Sequence, residues 1–185
     1  PAEDRLVETL KSMEGVTSIY INTNTENTSV IMGRKNRVLW GESTISDVIH
    51  PRTIEEIESG KDALADQDRE GITFAISPLS FYQVNPVQTE KLYSIAVNEA
   101  KLNKNDIVID AYCGIGTIGI ICADKVRQVL STELNKSACK DAVVNAKLNK
   151  LDNIKFANCD AGEFMEELVA KGEKIEPGAM CEAQK

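Results

Sequence analysis

The run Val108-Ile109-Asp110-Ala111-Tyr112-Cys113-Gly114-Ile115-Gly116-Thr117-Ile118-Gly119 decides the fold. An apolar strand-like stretch leads into closely spaced glycines and then into the opening of a helix, the nucleotide-cradling corner of a Rossmann-like unit. Gly114, Gly116 and Gly119 satisfy G-x-G-x-x-G, so a dinucleotide is one ligand this corner can be read to hold. Asp110 favours another. It stands at the strand end, four residues before Gly114. A dinucleotide fold brings pyrophosphate to the helix N-terminus, where the dipole favours an anion. A carboxylate just before that turn suits a cationic ligand better, and S-adenosylmethionine carries an ammonium and a sulfonium but no phosphate. Glycines also serve plain tight turns, so their spacing alone does not choose.

Gln128-Val129-Leu130-Ser131-Thr132-Glu133 reads as the next strand, ending in an acid. A carboxylate there can accept both hydroxyls of a ribose, and it does so for adenosylmethionine and NAD alike; a solvated strand end is the plainer alternative. A helix is expected over Lys136 to Leu148, then a third strand over Asn153 to Asp160. Asp160 can meet an adenine amino group or cap the following helix, Ala161 to Val169. Three acids thus fall at successive strand ends, where open α/β sheets place their ligands. Their coincidence weighs more than any one of them.

Two segments carry a resemblance. Ile76-Ser77-Pro78-Leu79-Ser80-Phe81-Tyr82-Gln83-Val84-Asn85-Pro86-Val87-Gln88-Thr89-Glu90-Lys91-Leu92-Tyr93, together with Asp110 to Gly119, resembles the RNA 5-methyluridine (uracil-C5) methyltransferase family. Phe81-Tyr82-Gln83-Val84-Asn85 is the specific phrase. The likeness covers about residues 71–170. It implies that Gln83 and Tyr112 contact the methyl donor and that Glu133 is the ribose-binding acid, although Ser131-Thr132 stand where the family usually has Gly-Val. Together with the turn and the strand ends, the set expected to hold S-adenosylmethionine is Gln83, Asp110, Tyr112, Gly114, Gly116, Thr117, Glu133 and Asp160. A β-branched residue at Gly116 is expected to fill space that the ligand needs.

The resemblance also implies residues that this sequence lacks: an Asp-Pro-Pro-Arg segment, a nucleophilic cysteine after a later strand, a glutamate base, and the basic β-barrel (TRAM domain) that many members carry in front. The expectation is a truncated chain with no catalytic residue of its own. In the whole enzyme, by resemblance, a cysteine thiolate adds to uracil C6, C5 takes the methyl group, and a base removes the C5 proton, so that covalent catalysis splits one hard step into two. Other readings stay open: a methyltransferase for a small molecule or protein, a non-catalytic nucleoside-binding module, or a dinucleotide-dependent oxidoreductase.

Composition bounds the rest. The chain has 185 residues and a net charge of −8, a poor balance for gripping phosphates. Arg34-Lys35-Asn36-Arg37 is the candidate RNA-facing spot, or a hairpin turn with solvated charges. Residues 51–70 are acidic and read as a solvated insertion or short surface helix. No stretch of 18 apolar residues occurs and no signal pattern opens the sequence, so a cytoplasmic, non-membrane location is expected; the resemblance implies rRNA or tRNA, and not DNA, as partner. Five scattered cysteines and the single His50 form no zinc or iron–sulfur pattern and no disulfide framework. Cys113 lies in the glycine turn, but as a small packing residue.

The fold class expected is α/β: a Rossmann-like class I methyltransferase fold holding the N-terminal half of the sheet, preceded by a small β-rich α+β region. The bounds are 1–80 for the β-rich substrate-side part, 81–171 for the cofactor part and 172–185 for an aperiodic tail. In the first part a helical stripe over Asp4 to Met13 precedes an antiparallel meander: Thr17 to Ile21, Thr28 to Met32, Val38 to Trp40, Thr44 to Ile49 and Ile72 to Ile76. Trp40 and Phe74 are assigned to the core. Asn85-Pro86-Val87-Gln88 opens a helix through an Asn cap and Pro at the first position, with Leu92, Ile95, Ala96 and Ala100 as its apolar face.

Overall fold

The computed structural model describes residues 2–27, 29–33, 35–60 and 70–171. Helix α1 (Ala2–Lys11) precedes the strands β1 (Ser18–Thr23) and β2 (Lys35–Gly41), which pair antiparallel. A second antiparallel ribbon joins β3 (Ile45–Ile49) to β4 (Ile72–Ile76), with α2 (Ile54–Glu58) between them. The expected single meander is therefore two separate ribbons. Residues 29–33 form no strand. Their backbone is met by side chains: Asn24 Nδ2 donates to the carbonyls of Val30 and Ile31 at 2.7 and 3.1 Å. Asn22 brackets Gly33 through both atoms of its amide, at 2.7 and 2.8 Å. With these groups satisfied, no ladder is needed.

Lys35, Asn36 and Arg37 lie inside β2 and not in a turn, and Arg37 makes a two-pronged ion pair with Glu3 of α1 at 2.8 and 3.0 Å. The acidic stretch begins with α2, capped by a reciprocal Thr53–Glu56 box. Residues 61–69 of that stretch, Arg34 and the tail 172–185 lie outside the described residues.

From residue 86 the order alternates: α3 (Pro86–Glu99), β5 (Ile107–Asp110), α4 (Thr117–Ala123), β6 (Gln128–Thr132), α5 (Lys136–Leu148), β7 (Ile154–Ala157) and α6 (Ala161–Lys171). The three strands are parallel in the order β5-β6-β7. Alternation along each strand sends side chains to two faces. Val129, Ile154 and Phe156 join Ile120, Cys139 and Ala142 of α4 and α5 in the larger core, which also takes in Ile49, Phe74 and Ile76 of the β3–β4 ribbon. Leu130 and Ala157 face the other way, against Phe164 of α6. Phe74 is core, as expected; Trp40 is only half-buried.

Helix α3 reverses the expected face. Leu92 is 59% exposed, and Ile95, Ala96 and Ala100 are also exposed. The buried residues are Thr89, Glu90, Ser94 and Val97. They are buried because they have partners: Glu90 Oε1 accepts from the backbone N–H of His50 at 2.9 Å and lies 3.1 Å from its ring Nδ1. Ser94 Oγ accepts from the Arg52 N–H at 2.9 Å. A polar side chain with its hydrogen bonds met is free to face inward.

The ribbon is held to α5 by a polar ladder. Asn149 accepts from Thr73 N at 3.0 Å and donates to Thr73 O at 2.7 Å. Asn145 does the same to Ala75 at 2.8 and 3.2 Å. Asp141 accepts from Ser77 Oγ at 2.5 Å. Four residues of helix advance about 6 Å and two of strand about 6.6 Å, so amides one turn apart can each meet alternate residues of a strand edge.

Candidate cofactor site

Strand β5 ends at Asp110 and the chain turns through Gly114 (φ 55°) and Gly116 (φ 86°) into α4. Gly116 occupies the N-cap position with no side-chain cap bond of its own. Asp110 supplies one from the strand: its Oδ2 accepts the N–H of Gly119, in the first turn of α4, at 3.0 Å. Burial raises the Asp110 pKa, the N–H groups of Gly119 and Tyr112 pull it down, and the charge of Glu133 adds to the rise.

Glu133, just after β6, is a fixed group and not a loose strand end. Its Oε2 accepts from Gly114 N at 2.9 Å and its Oε1 from Asn135 N at 2.7 Å. Each carboxylate oxygen has two lone pairs, so both retain capacity for a diol. Asn135 in turn caps α5 by accepting from Ser137 N at 2.9 Å.

Tyr112 is 84% exposed at the tip of the turn, and Gln83 is exposed on the segment before α3. Gln83 neighbours the phenol of Tyr93 on α3. Burial raises the Tyr93 pKa, the Gln83 amide opposes the rise, and the nearby charge of Asp110 adds to it. Tyr93 thus stands near both Gln83 and the strand end. The sequence reading missed it because it set the inward face of α3 at Leu92 and Ile95, one position out of phase. Thr117 is buried at the start of α4. Asp160, exposed, uses Oδ1 to accept from Gly162 N at 2.7 Å, so it does cap the first turn of α6.

Gly116 faces the core. A Cβ there would lie 3.1–3.2 Å from Ile120, Ala142 and Phe156. The expectation that a larger residue would intrude on the ligand is therefore corrected: it would intrude on the packing between α4, α5 and β7. Cys113 and Cys139 are buried. Burial, with the charges of Asp110 and Glu133, pushes the Cys113 thiol pKa well up, and Cys122 is pushed up to about 11. Thiols held in this way are not nucleophiles at neutral pH. Among the described residues no group of three or more His, Cys, Asp or Glu could hold a metal ion, and no helix is long and apolar enough to cross a membrane.

The family model described as tRNA (Uracil-5-)-methyltransferase matches residues 51–174, more than half of the chain. The chain belongs to this family. An uncharacterised RNA methyltransferase of Oceanobacillus iheyensis is 40% identical over 166 residues, 89% of this chain and 32% of that protein. One of Clostridium tetani is 36% identical over 177 residues, 95% of this chain and 34% of that protein. The chain thus spans about a third of the length of the curated relatives it matches. Among solved structures, the Pyrococcus abyssi tRNA (uracil-54, C5)-methyltransferase in complex with S-adenosyl-L-homocysteine matches with a TM-score of 0.52 and 25% identity, over 75% of this chain and 29% of that one. Trm5b of the same organism matches in fold with a TM-score of 0.51 at 18% identity, over 84% of this chain and 40% of that one. The fold is thereby the Rossmann-like one of class I methyltransferases.

Proposed function

We propose that this chain carries the methyl-donor half-site of an RNA methyltransferase that transfers a methyl group from S-adenosylmethionine to C5 of a uridine in rRNA or tRNA. The observation that carries the choice of cofactor is the bond from Gly119 N–H to Asp110 Oδ2. In a dinucleotide site the first-turn amides of this helix face pyrophosphate. Here one of them faces the chain's own carboxylate, and a second acid, Glu133, lies close enough to raise its pKa. A phosphate would meet two like charges, whereas the ammonium end of adenosylmethionine would meet opposite ones.

The residues present fit that cofactor. Glu133 would take the ribose diol through the lone pairs left by Gly114 and Asn135. Asp110 would face the ammonium end, Asp160 the adenine edge, and Gln83 with Tyr112 the solvent side of the donor; Gly114, Gly116 and Thr117 shape the turn beneath it. When bound, S-adenosylmethionine supplies an electrophilic methyl group on a sulfonium. The protein's own part is to place that methyl and keep the site acidic. Burial holds the Cys113 and Cys122 thiols in their unreactive form, and the reading is that the chain alone binds donor without methylating RNA.

Titration calorimetry with S-adenosylhomocysteine and, separately, NAD tests the cofactor; NAD binding without adenosylhomocysteine binding sinks the reading. A tritiated-methyl assay on unmodified rRNA and tRNA tests the second claim. Label at uridine C5 from this chain alone would return Cys113, Cys139 and Cys159 to candidacy.

A further inference from the structure

The segment between β4 and α3 carries Gln83, yet it is neither helix nor strand. Its inward side chains are anchored. Ser77 and Ser80 both donate to a single oxygen of Asp141, Oδ2, at 2.5 and 2.6 Å. Tyr82 donates to Asp47 Oδ2 on β3 at 3.1 Å, and its ring leans on Phe74 with centroids 6.3 Å apart. Asn85 then caps α3, accepting from Gln88 N at 3.2 Å. Burial alternates to match: Ser80 and Tyr82 are half-buried, while Phe81 is 75% exposed and Gln83 is exposed.

We propose that Asp141 and Asp47 are positioning residues for donor binding: by anchoring Ser80 and Tyr82 inward they hold Phe81 and Gln83 outward, toward the cofactor side. This rests on the reading that Gln83 contacts the donor. The task needs one oxygen that can accept twice. The two serine hydroxyls lie 3.1 Å apart, and the two lone pairs of Oδ2 take both of their protons; the charge of the carboxylate makes these bonds short and strong. Asp141 has a second qualification. It stands on α5, whose N-cap Asn135 donates its backbone N–H to Glu133 Oε1. Six residues of helix, about 9 Å, therefore separate the anchor of the ribose-side acid from the anchor of the Gln83 segment. One rigid rod sets the distance between two parts of the site that are far apart in sequence.

The test uses the whole chain, with S-adenosylhomocysteine as the probe. Dissociation constants are measured for the wild type, Asp141→Ala, Asp141→Asn, Asp47→Ala, Gln83→Ala and the Asp141→Ala/Gln83→Ala pair. Ligand-free hydrogen exchange is followed over residues 79–84. Asp141→Ala and Asp47→Ala should each speed exchange in that segment by about tenfold or more, with α5 unchanged, and weaken binding by about tenfold. Asp141→Asn keeps an acceptor oxygen and should restore most of the affinity. The paired variant should bind no more weakly than Gln83→Ala alone, since the clamp acts through Gln83.

Additive losses in that cycle, or unchanged exchange over 79–84, would overturn the proposal. If Asp141→Ala fails to fold, Ser77→Ala/Ser80→Ala takes its place with the same expectations. If the wild type does not bind the probe at all, the donor reading falls, and the exchange result alone decides whether the clamp exists.

Discussion

The carboxylate of Glu133 accepts the backbone N–H of Gly114 at 2.9 Å, so the acid after one strand fixes the turn after its neighbour. The second oxygen is held by Asn135 N at 2.7 Å. Glu133→Ala removes both anchors and the diol acceptor together, and should weaken adenosylhomocysteine binding about ten- to a hundredfold. Glu133→Gln should behave like Ala and not like Glu, because its NH₂ group would face one of the two N–H donors. Calorimetry with circular dichroism as the folding control checks this; a glutamine variant that binds like wild type would refute the arrangement.

Asp110 sits with its pKa raised, chiefly by burial. A raised carboxyl pKa means that the folded state holds its proton more tightly than the unfolded one, so the stability it contributes is present at acid pH and lost as pH rises through the folded value. Asp110→Asn removes the buried charge and keeps an oxygen for only one of the two N–H donors, Gly119 and Tyr112. The melting temperature of the variant relative to the wild type should therefore rise between pH 4 and pH 7, because only the wild type comes to carry the buried charge over that interval. The same variant should bind adenosylmethionine more weakly. A relative melting temperature that falls over that interval would show that the charge is needed to hold the turn.

Gly116 combines a φ of 86° with close neighbours on three sides. Gly116→Ala should cost about 1–2 kcal/mol for the left-handed backbone alone, and more for the contact with Ile120, Ala142 and Phe156. Gly116→Val should lose a further 1–3 kcal/mol to overpacking. Urea titration measures both. If valine left stability intact and abolished only binding, the glycine would face the ligand and not the core.

Asn145 is 0% exposed, and its amide serves Ala75 N, Ala75 O and Ile115 O. Asn145→Ala strands three backbone groups and should cost about 3 kcal/mol or more. Asn145→Leu should be no better, since shape without polarity leaves the same groups unmet. Thermal unfolding decides it; a loss under about 1 kcal/mol would mean that water replaces the amide.

What could be read directly was whatever depends on neighbours in sequence. The α5 boundaries, Lys136–Leu148, came out as expected because Asn135 caps locally and the chain stays periodic up to Leu148. The cap at Asn85 and the proline after it are equally local. The strand–turn–helix corner was legible because glycines at 114 and 116 permit a backbone that other residues resist. The strand expected over 28–32 is not formed by the described residues 29–32, because Asn22 and Asn24 meet the backbone there and at Gly33 from a distance in sequence, and alternation alone carries no sign of it.

The α/β class, the glycine corner and the row of acids at strand ends each follow from a short-range pattern along the chain. Which face of α3 is buried follows from the packed fold, because Glu90 and Ser94 become inward residues once His50 and Arg52 arrive to bond them. That fold alone turned Asp110 from an open carboxylate into the acceptor of Gly119 N–H, and turned Gly116 toward the core. It also joined Asp141, Asn145 and Asn149 to residues more than 60 positions away. The physical reason is the same in each case. A polar group's cost of burial depends on whether a partner is present, and for these residues the partner is brought by the fold.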